Sequence, residues 1–439
     1  MLTKNKLFII WLLGSISGFT LMIGGNTLNY WLAKEQIDLR TIGIFAFISF
    51  PYAVNFLWAP IFDTKKLGYL TKVLGQRLSW VVLIQLGLSF NVFILSKFNP
   101  TNYIYLFALL ALLVSFLSSA QDSVLGALRT EIISKESQGV ASGIYIFGYR
   151  IGMLISSSGA IYFSDYLGMN KIYELFALII LLCPILLILN IKNLSLAENS
   201  SELIQQLITS ALNSPGNNKP HSTPAAVEPQ KRAIILKALS FTINILKPIG
   251  SYSFLILVVI FLILYRLPDN FITMMINPFL IHLKFGAHEV ASIGKFFGIL
   301  TAIIGGFIAS WMMRRKSITR SLLIFGIIHA LAHSLFIIQE IYGKNLQLLF
   351  LVIGFESITG GMTMAAYIAF IASLCQGKFR ATQYSFFSAM MGLSRSVFPA
   401  ISGYIVIEFG WQKFFVFTSL AAIPSLLLLH ILMTRYKIK

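Results

Sequence analysis

The sequence predicts an all-α membrane protein of twelve transmembrane helices, and three observations carry that prediction. Of 439 residues, 57% are hydrophobic and only 11% charged, too few polar groups to cover a soluble domain of this size. The apolar residues run in blocks, such as 104–114, 179–189 and 255–264, without the three-to-four spacing of a helix with one wet face. Each block sits in a segment of about 20 residues with few charges, enough to cross a ~30 Å hydrocarbon core.

Six such segments come first, at 7–31, 41–62, 78–96, 103–133, 139–163 and 171–191. Six more follow, at 252–281, 288–313, 319–339, 347–375, 380–407 and 412–434. The polar stretch 193–250 separates a bundle at 1–192 from a second at 251–439. Its first part, with Pro215, Gly216, Pro220, Pro224 and Pro229, reads as a flexible linker. Residues 231–247 mix Lys with Ile, Leu and Phe, which fits a helix lying along the inner leaflet and fits a disordered linker almost as well. The N-terminal run resembles a signal peptide but continues to Trp31 without a small-residue cleavage site, so it reads as a first retained helix.

An even number of spans puts both termini on one side. The loops on that side carry Lys4, Lys6, Lys65, Lys66, Lys72, Arg77, Arg314, Arg315, Lys316 and Arg320 among others. The opposite loops carry only Lys34, Arg40, Lys97, Lys171, Lys284, Lys344 and Lys413. This asymmetry places both termini in the cytoplasm. The net charge of +18 then belongs against an anionic lipid face, and no nucleic-acid partner is expected.

Chemistry of other kinds is poorly provided for. The two cysteines, Cys183 and Cys375, both lie in apolar segments, so neither a disulfide framework nor a Cys-rich metal site is available. No P-loop, metal-ligand cluster or paired nucleophile occurs. The chain is therefore not expected to be an enzyme, and no cofactor is expected. Energy must come from a gradient or another subunit. His329 and His333, an i, i+4 pair with no carboxylate close in sequence, read as packing or a local hydrogen bond.

A charge at mid-bilayer costs at least ~2.5–3.5 kcal/mol, so Asp122, Arg129, Arg150, Arg266, Asp269, Lys295, Glu356 and Arg395 are the informative residues of the spans. Asp122 and Arg129 share a helical face two turns apart, with the Gln121 amide beside the carboxylate. Asp122 is read as proton-coupling; the structural alternative ties it to Arg150. Arg129, nearer the cytoplasmic end, is assigned to gating. Arg266 and Asp269 are three apart and able to pair, and Pro268 between them should break the helix and leave carbonyls free. A carboxyl alternating between an apolar wall and a guanidinium could take up and release a proton, which makes Asp269 the first choice for coupling and Arg266 a gating residue. Lys295 and Glu356 either meet a ligand or bond to each other across a gate. The planar forks of Arg150 and Arg395 suit carboxylates. Gly14, Gly18, Gly24, Gly25, Gly360 and Gly361 read as close-packing positions. Asn26 and Thr27 serve either sugar hydroxyls or a helix–helix bond.

Six helices, a long cytoplasmic loop and six more are the plan of the major facilitator superfamily, in which two bundles rock about a midplane site. More specific motifs resemble the AmpG-type muropeptide permeases over nearly the whole chain outside the linker. They are Phe56-Leu57-Trp58-Ala59-Pro60 with Asp63, Ser119-Ala120-Gln121-Asp122 with Arg129-Thr130-Glu131, and Gly148-Tyr149-Arg150-Ile151-Gly152-Met153. Leu267-Pro268-Asp269 and Phe355-Glu356 through Gly360-Gly361-Met362 follow, then Ala381-Thr382-Gln383-Tyr384 and Arg395. Asp63 and the basic loop to Arg77 are similar to the general facilitator loop between helices two and three, and are read as gating.

The resemblance implies a monomeric carrier of the bacterial inner membrane. It implies proton-driven import of N-acetylglucosaminyl-1,6-anhydro-N-acetylmuramyl peptides from the periplasm in cell-wall recycling. Asn26, Gln121, Arg150, Glu356, Gln383 and Arg395 would then contact substrate. The chain departs from the family pattern at Gly126, where a second acidic residue is frequent, and at Thr64, where a basic one is usual. The residues by themselves also leave open a facilitator-fold carrier of another solute, an efflux antiporter included, and a membrane sensor or scaffold.

Overall fold

The computed structural model describes residues 4–132, 138–190, 250–375 and 380–436, all helices and short connections with no strand among them. The segment 193–249, with the inner-leaflet helix proposed for 231–247, lies outside the described residues. Ten segments are long and apolar enough to cross a bilayer. They begin with span 1 (Lys4–Lys34), span 3 (Gln76–Leu95), span 4 (Ile104–Ile132), span 5 (138–167) and span 6 (Met169–Leu189). Span 7 (Tyr252–His282), span 8 (Ala287–Met313), span 9 (Ile318–Tyr342) and span 10 (Leu346–Leu374) follow.

The tenth segment, Phe386–Arg435, is two spans: Gly410 at φ +80° breaks it, a conformation that suits glycine. Span 11 therefore covers 380–409 and span 12 covers 411–435. Span 2 (39–64) is the twelfth, and it is broken into α-helical and 3₁₀ pieces: Leu39–Ile44, Phe45–Ser49, Phe50–Ala53, Asn55–Leu57 and Ala59–Thr64. Pro51 and Pro60 sit in the first turns of two of these pieces, where the missing N–H costs nothing but the preceding helix must stop. Apolar side chains such as Phe90, Leu109, Leu178, Phe307, Leu331 and Leu351 face outward, fully apart from the core, as lipid contact requires.

Close packing is set by glycine. Gly14 and Gly18 of span 1 lie against the carbonyls of Tyr145 and Tyr149 of span 5, and Gly148 and Gly152 lie in turn against the carbonyls of Trp11 and Ser15. A Cβ on any of the four would enter the neighbouring backbone. Gly305 of span 8 against Ile358, and Gly361 of span 10 against Ala302, repeat the arrangement in the second half of the chain. Small residues let backbones touch, and dispersion then replaces the hydrophobic drive that lipid cannot supply.

The two halves meet mainly at the end of the molecule remote from the termini, here the far end. Stretches Asn26–Lys34, Leu39–Ile44 and Ala160–Leu167 reach Leu267–His282, Ser402–Leu420 and Ala287–Glu289. The Asn277 amide donates to Asn29 Oδ1 at 3.1 Å and to the Asn26 carbonyl at 3.0 Å, and the Asn29 amide donates to the Met274 carbonyl at 3.0 Å. Arg40 pairs with Glu408 at 2.8 Å, and Gly43 and Gly403 bring spans 2 and 11 into backbone contact. Spans 5 and 8 each contain a π-helical stretch, Ile155–Gly159 and Val290–Phe297, and these meet where Ser158 Oγ donates to the Ala291 carbonyl at 2.8 Å. The terminus-side stretches Lys4–Ile23 and Gln138–Leu154 pack chiefly on each other.

The few cations of the far end mostly find carboxylates: Lys34 with Asp165, Lys97 with Glu174, and Lys344 with Glu289. Such exposed pairs add only about 0–1 kcal/mol each. Their larger effect is to neutralise that face and leave the excess positive charge at the terminus end. Gly18→Leu should destabilise the fold by overpacking of ~1–3 kcal/mol or more. The expected result is a marked drop in thermal stability in detergent, and an unchanged melting profile would show that spans 1 and 5 can part without cost.

Candidate functional site

A cavity of about 380 Å³ lies at the junction of the halves, walled by spans 1, 2, 5, 7, 8, 10 and 11. Six of the charged and polar residues singled out in the sequence line it: Asn26, Arg150, Arg266, Asp269, Lys295 and Arg395. Four are cations and one is a carboxylate, so the cavity presents net positive charge.

The break in span 7 builds one wall. The helix Tyr252–Tyr265 ends at Arg266, and a new helix, Leu267–His282, starts with Pro268 and Asp269 in its first turn. Pro268 has no N–H to give, and Asp269 gains from the positive end of the new helix. The carbonyls released by the break are not free, as the sequence suggested they would be. Tyr367 Oη of span 10 donates to the Leu262 carbonyl at 3.0 Å, and Ser394 Oγ of span 11 donates to the Ile263 carbonyl at 2.8 Å. Unsatisfied carbonyls in hydrocarbon cost several kcal/mol, and neighbouring hydroxyls remove that cost. The Asn270 amide donates to the same Ser394 hydroxyl at 3.0 Å. The Arg266 and Asp269 side chains form an ion pair across one turn.

Arg150 comes from span 5 and Arg395 from span 11, one from each half of the chain. Among the described residues neither makes an ion pair or hydrogen bond, and both face the cavity. Lys295, 8% exposed on the π-helical stretch of span 8, likewise has no hydrogen-bonded or ion-paired partner there. Keeping cations without partners in a partly buried wall is expensive, and three of them give the cavity a charge that suits an anion. Of the two readings left open for Lys295 and Glu356, the bond between them is not formed. Glu356 accepts from Ser357 Oγ at 3.0 Å, and its carboxylate gathers with His329 and His333, their ligating atoms all within 4.8 Å of one another.

The histidine reading is therefore corrected. His329 and His333 have no carboxylate close in sequence, but folding brings two. His329 Nε2 lies 3.6 Å from Asp269 Oδ1, and Glu356 stands beside both rings. His333 is fully buried with no hydrogen-bond partner on either ring nitrogen.

The remaining singled-out residues lie off the cavity wall. Asp122 accepts from Ser17 Oγ at 2.7 Å and does not pair with Arg150. Gln121 donates to Thr20 Oγ1 at 3.1 Å, within a chain of hydroxyls in which Tyr52 donates to Ser118 and Ser118 to Thr20. Arg129 stacks on the Tyr145 ring, 4.6 Å from its centre, so its charge is held against an aromatic face. Gln383 is buried in the first turn of span 11, and Arg77 opens span 3; neither lines the cavity. Asp63 belongs to the helix Ala59–Thr64, and its side chain lies outside the described residues. Thr27 donates to the Ser156 carbonyl at 2.5 Å, and Asn26 both lines the cavity and accepts from Asn277. Beyond Asn26, sequence reasoning missed the asparagine set. Asn26 and Asn29, and Asn270 and Asn277, stand three and seven apart in apolar spans, spacings that share a helical face.

The sequence matches the profile of the Major Facilitator Superfamily over residues 10–355 and again over 259–438. It is 58% identical to a protein of Rickettsia bellii (strain RML369-C) whose name includes AmpG 1, over 97% of this chain and 98% of that one. It is 30% identical to the anhydromuropeptide permease of Escherichia coli (strain K12), over 96% of this chain and 78% of the permease. Among solved structures, a POT family transporter in complex with a thioalcohol-conjugated peptide superposes with a TM-score of 0.66 at 14% identity, covering 99% of this chain and 96% of that one. A D-xylose-proton symporter does so with a TM-score of 0.66 at 11% identity, covering 97% and 96%.

Removing both hydroxyls that serve the span 7 break, in the double variant Tyr367→Phe with Ser394→Ala, leaves two carbonyls unanswered. At ~1–3 kcal/mol per unsatisfied group, the variant should denature at distinctly lower denaturant concentration in micelles. An unchanged midpoint would mean that other groups serve those carbonyls.

Proposed function

The chain belongs to the major facilitator superfamily and, within it, to the AmpG permeases, and from that premise we propose that it imports anhydromuropeptides into the bacterial cytoplasm with protons. It is a multi-pass transporter and not an enzyme. The E. coli relative is named for anhydromuropeptides, and the chemistry of this cavity suits such a cargo. Stem peptides carry several carboxylates, and the disaccharide needs amides and hydroxyls.

One observation carries the reading: Arg150 and Arg395, one from each half, face a common cavity with no anion on either. A ligand carboxylate between them would bond to both halves at once. Its binding would favour whichever conformation brings the halves closest around the site, as rocking carriers require. Asn26, Asn270 and Thr273 on the same wall supply amide and hydroxyl groups for the sugars.

In this reading 1–192 and 251–439 are the rocking bundles, joined by 193–250, and the protein acts as a monomer in the inner membrane. The terminus end, with its excess of Lys and Arg, faces the cytoplasm. The far end, where Arg40–Glu408 and the Asn26, Asn29 and Asn277 bonds join the halves, is the periplasmic gate in its closed form. Import then alternates between this state and one in which those bonds part. The proton enters through the Arg266–Asp269 pair, the carboxylate on the cavity wall. Asp122, held by Ser17, acts within the first bundle.

Uptake of radiolabelled anhydromuropeptide by right-side-out vesicles should rise well above control and collapse with a protonophore. No uptake in right-side-out or inverted vesicles would remove the reading, and uptake of another solute alone would reassign the cargo. Arg150→Ala and Arg395→Ala should each weaken binding of the peptide-bearing ligand by ~10-fold or more, the value of a charge-assisted bond. Binding of the bare disaccharide should change far less; equal losses would make these arginines structural. Asp269→Asn should abolish accumulation while ligand binding stays measurable, and normal accumulation by that variant would clear Asp269 of coupling.

A further inference from the structure

His329 sits on span 9 with its imidazole buried behind the Arg266–Asp269 pair. Its Nδ1 lies 2.8 Å from Thr359 Oγ1 of span 10. The Thr359 hydroxyl has a single hydrogen, and the backbone carbonyls of Phe355 and Glu356, each 2.9 Å away, are acceptors for it. A hydroxyl that has spent its hydrogen can only accept. With that hydrogen given to a carbonyl, Nδ1 carries the ring hydrogen and donates it to Thr359. In the neutral ring Nε2 is then a bare lone pair.

That lone pair points at the wrong kind of neighbour. Nε2 stands 3.6 Å from Asp269 Oδ1, has no hydrogen-bond partner, and belongs to a side chain that is 8% exposed. Two acceptors facing each other repel. One proton placed on Nε2 converts the same contact into a charge-assisted N–H···O bond. The other carboxylate oxygen, Oδ2, is held by Arg266 Nη2, so Asp269 has a separate oxygen for each cation.

The charged and titratable groups around the ring come from every packed element. They are His333 on its own helix at 4.5 Å between ring centres, Arg266 and Asp269 on span 7, and Glu356 on span 10. Lys295 on span 8 lies beyond Glu356, within electrostatic reach of it. A divalent ion among the histidines would add two charges beside Arg266 and Lys295, whereas a proton adds one at a position already shaped for it.

Resting on the reading that transport is proton-driven, we propose that the coupling proton is carried on Nε2 of His329, with Asp269 as its ionised partner and Arg266 as the cation whose hold on Asp269 it weakens. Asp269 and Arg266 line the cavity and His329 lies behind them, so a proton from cavity water reaches Nε2 past Asp269. One O–H bond of a hydronium ion in the cavity water breaks as one N–H bond forms, and no other covalent bond changes. The imidazolium then shares Asp269 with Arg266, and the loosened guanidinium turns to the substrate carboxylate. When substrate leaves, Arg266 closes again on Asp269, and the proton returns to water on the other side.

The test uses the full chain in proteoliposomes with radiolabelled anhydromuropeptide. It compares accumulation driven by an imposed pH gradient with counterflow exchange at equal pH. His329→Asn keeps an N–H donor toward Thr359 and removes the basic nitrogen. The expected result is at least a ten-fold loss of accumulation with counterflow within two-fold of wild type. Accumulation by His329→Asn at wild-type level, while wild type itself collapses with a protonophore, overturns the histidine assignment alone. Equal loss of accumulation and counterflow makes His329 structural and also overturns it. Wild-type accumulation indifferent to the protonophore removes the proton-driven reading and the assignment with it. Bound zinc in wild type that is lost in His329→Asn, together with inhibition of wild-type accumulation by a chelator, makes the cluster a metal site instead. Should His329→Asn not fold, solid-state ¹⁵N NMR of histidine-labelled wild type decides: neutral His329 is expected with its proton on Nδ1, and a proton on Nε2 overturns the proposal.

Discussion

Hydrocarbon offers no partner to an N–H, a carbonyl or a charge, and several departures from regular helix in this protein are answered by a side chain from a neighbouring span. The break at Arg266 exposes the Leu262 and Ile263 carbonyls, and Tyr367 and Ser394 take them. The Ile23 carbonyl, at the end of the first helix of span 1, accepts from Tyr173 at 2.8 Å. The π-helical stretches of spans 5 and 8 meet through Ser158. Breaks are tolerated only where protein, not lipid, lies beside them. They therefore mark the inside of the molecule, and the cavity is lined by the broken spans 1, 2, 7 and 11 together with the π-helical ones.

The same constraint divides labour between the two ends. Where the halves meet at the far end, their bonds are mostly neutral amides and hydroxyls, with a single half-exposed ion pair, Arg40–Glu408. Neutral hydrogen bonds contribute little net when water is the alternative, so such a joint can open to an aqueous side at small cost. The glycine contacts inside each half, Gly18 on Tyr149 or Gly361 on Ala302, leave no room for water and have no comparable alternative partner. The contacts inside each half are thus tighter than those along the seam between them.

Much of this was legible in the sequence, because the bilayer enforces length and excludes charge. The spans, the break at Pro268, the Gly14 and Gly18 contacts and the retention of Arg150, Asp269, Lys295 and Arg395 in apolar segments follow from those two rules. What escaped was pairing across sequence distance. Whether Lys295 and Glu356 bond to each other was open, since nothing in the order of residues says which way a side chain turns; Glu356 turns toward His329 and His333. The histidines looked idle because their carboxylates lie on spans 7 and 10. Gln121 looked like a ligand group, but Thr20 on another helix claims it. Span 2 predicted as a regular helix is instead five pieces, since the reading weighed its apolar length and not Pro51 and Pro60.

Charge balance ties these parts together. The cavity wall carries Arg150, Arg266, Lys295 and Arg395 against Asp269, so an anionic cargo lowers its energy and an empty cavity depends on water for relief. A proton arriving behind Asp269 makes the wall more positive and strengthens its hold on the anion; loss of the anion makes the proton harder to keep. In the proposed scheme each ligand would thus raise the affinity for the other, an effect that linkage requires to be reciprocal. Coupling of this kind needs no long pathway. It needs one carboxylate shared between two cations, with one cation facing the cargo and the other buried behind it.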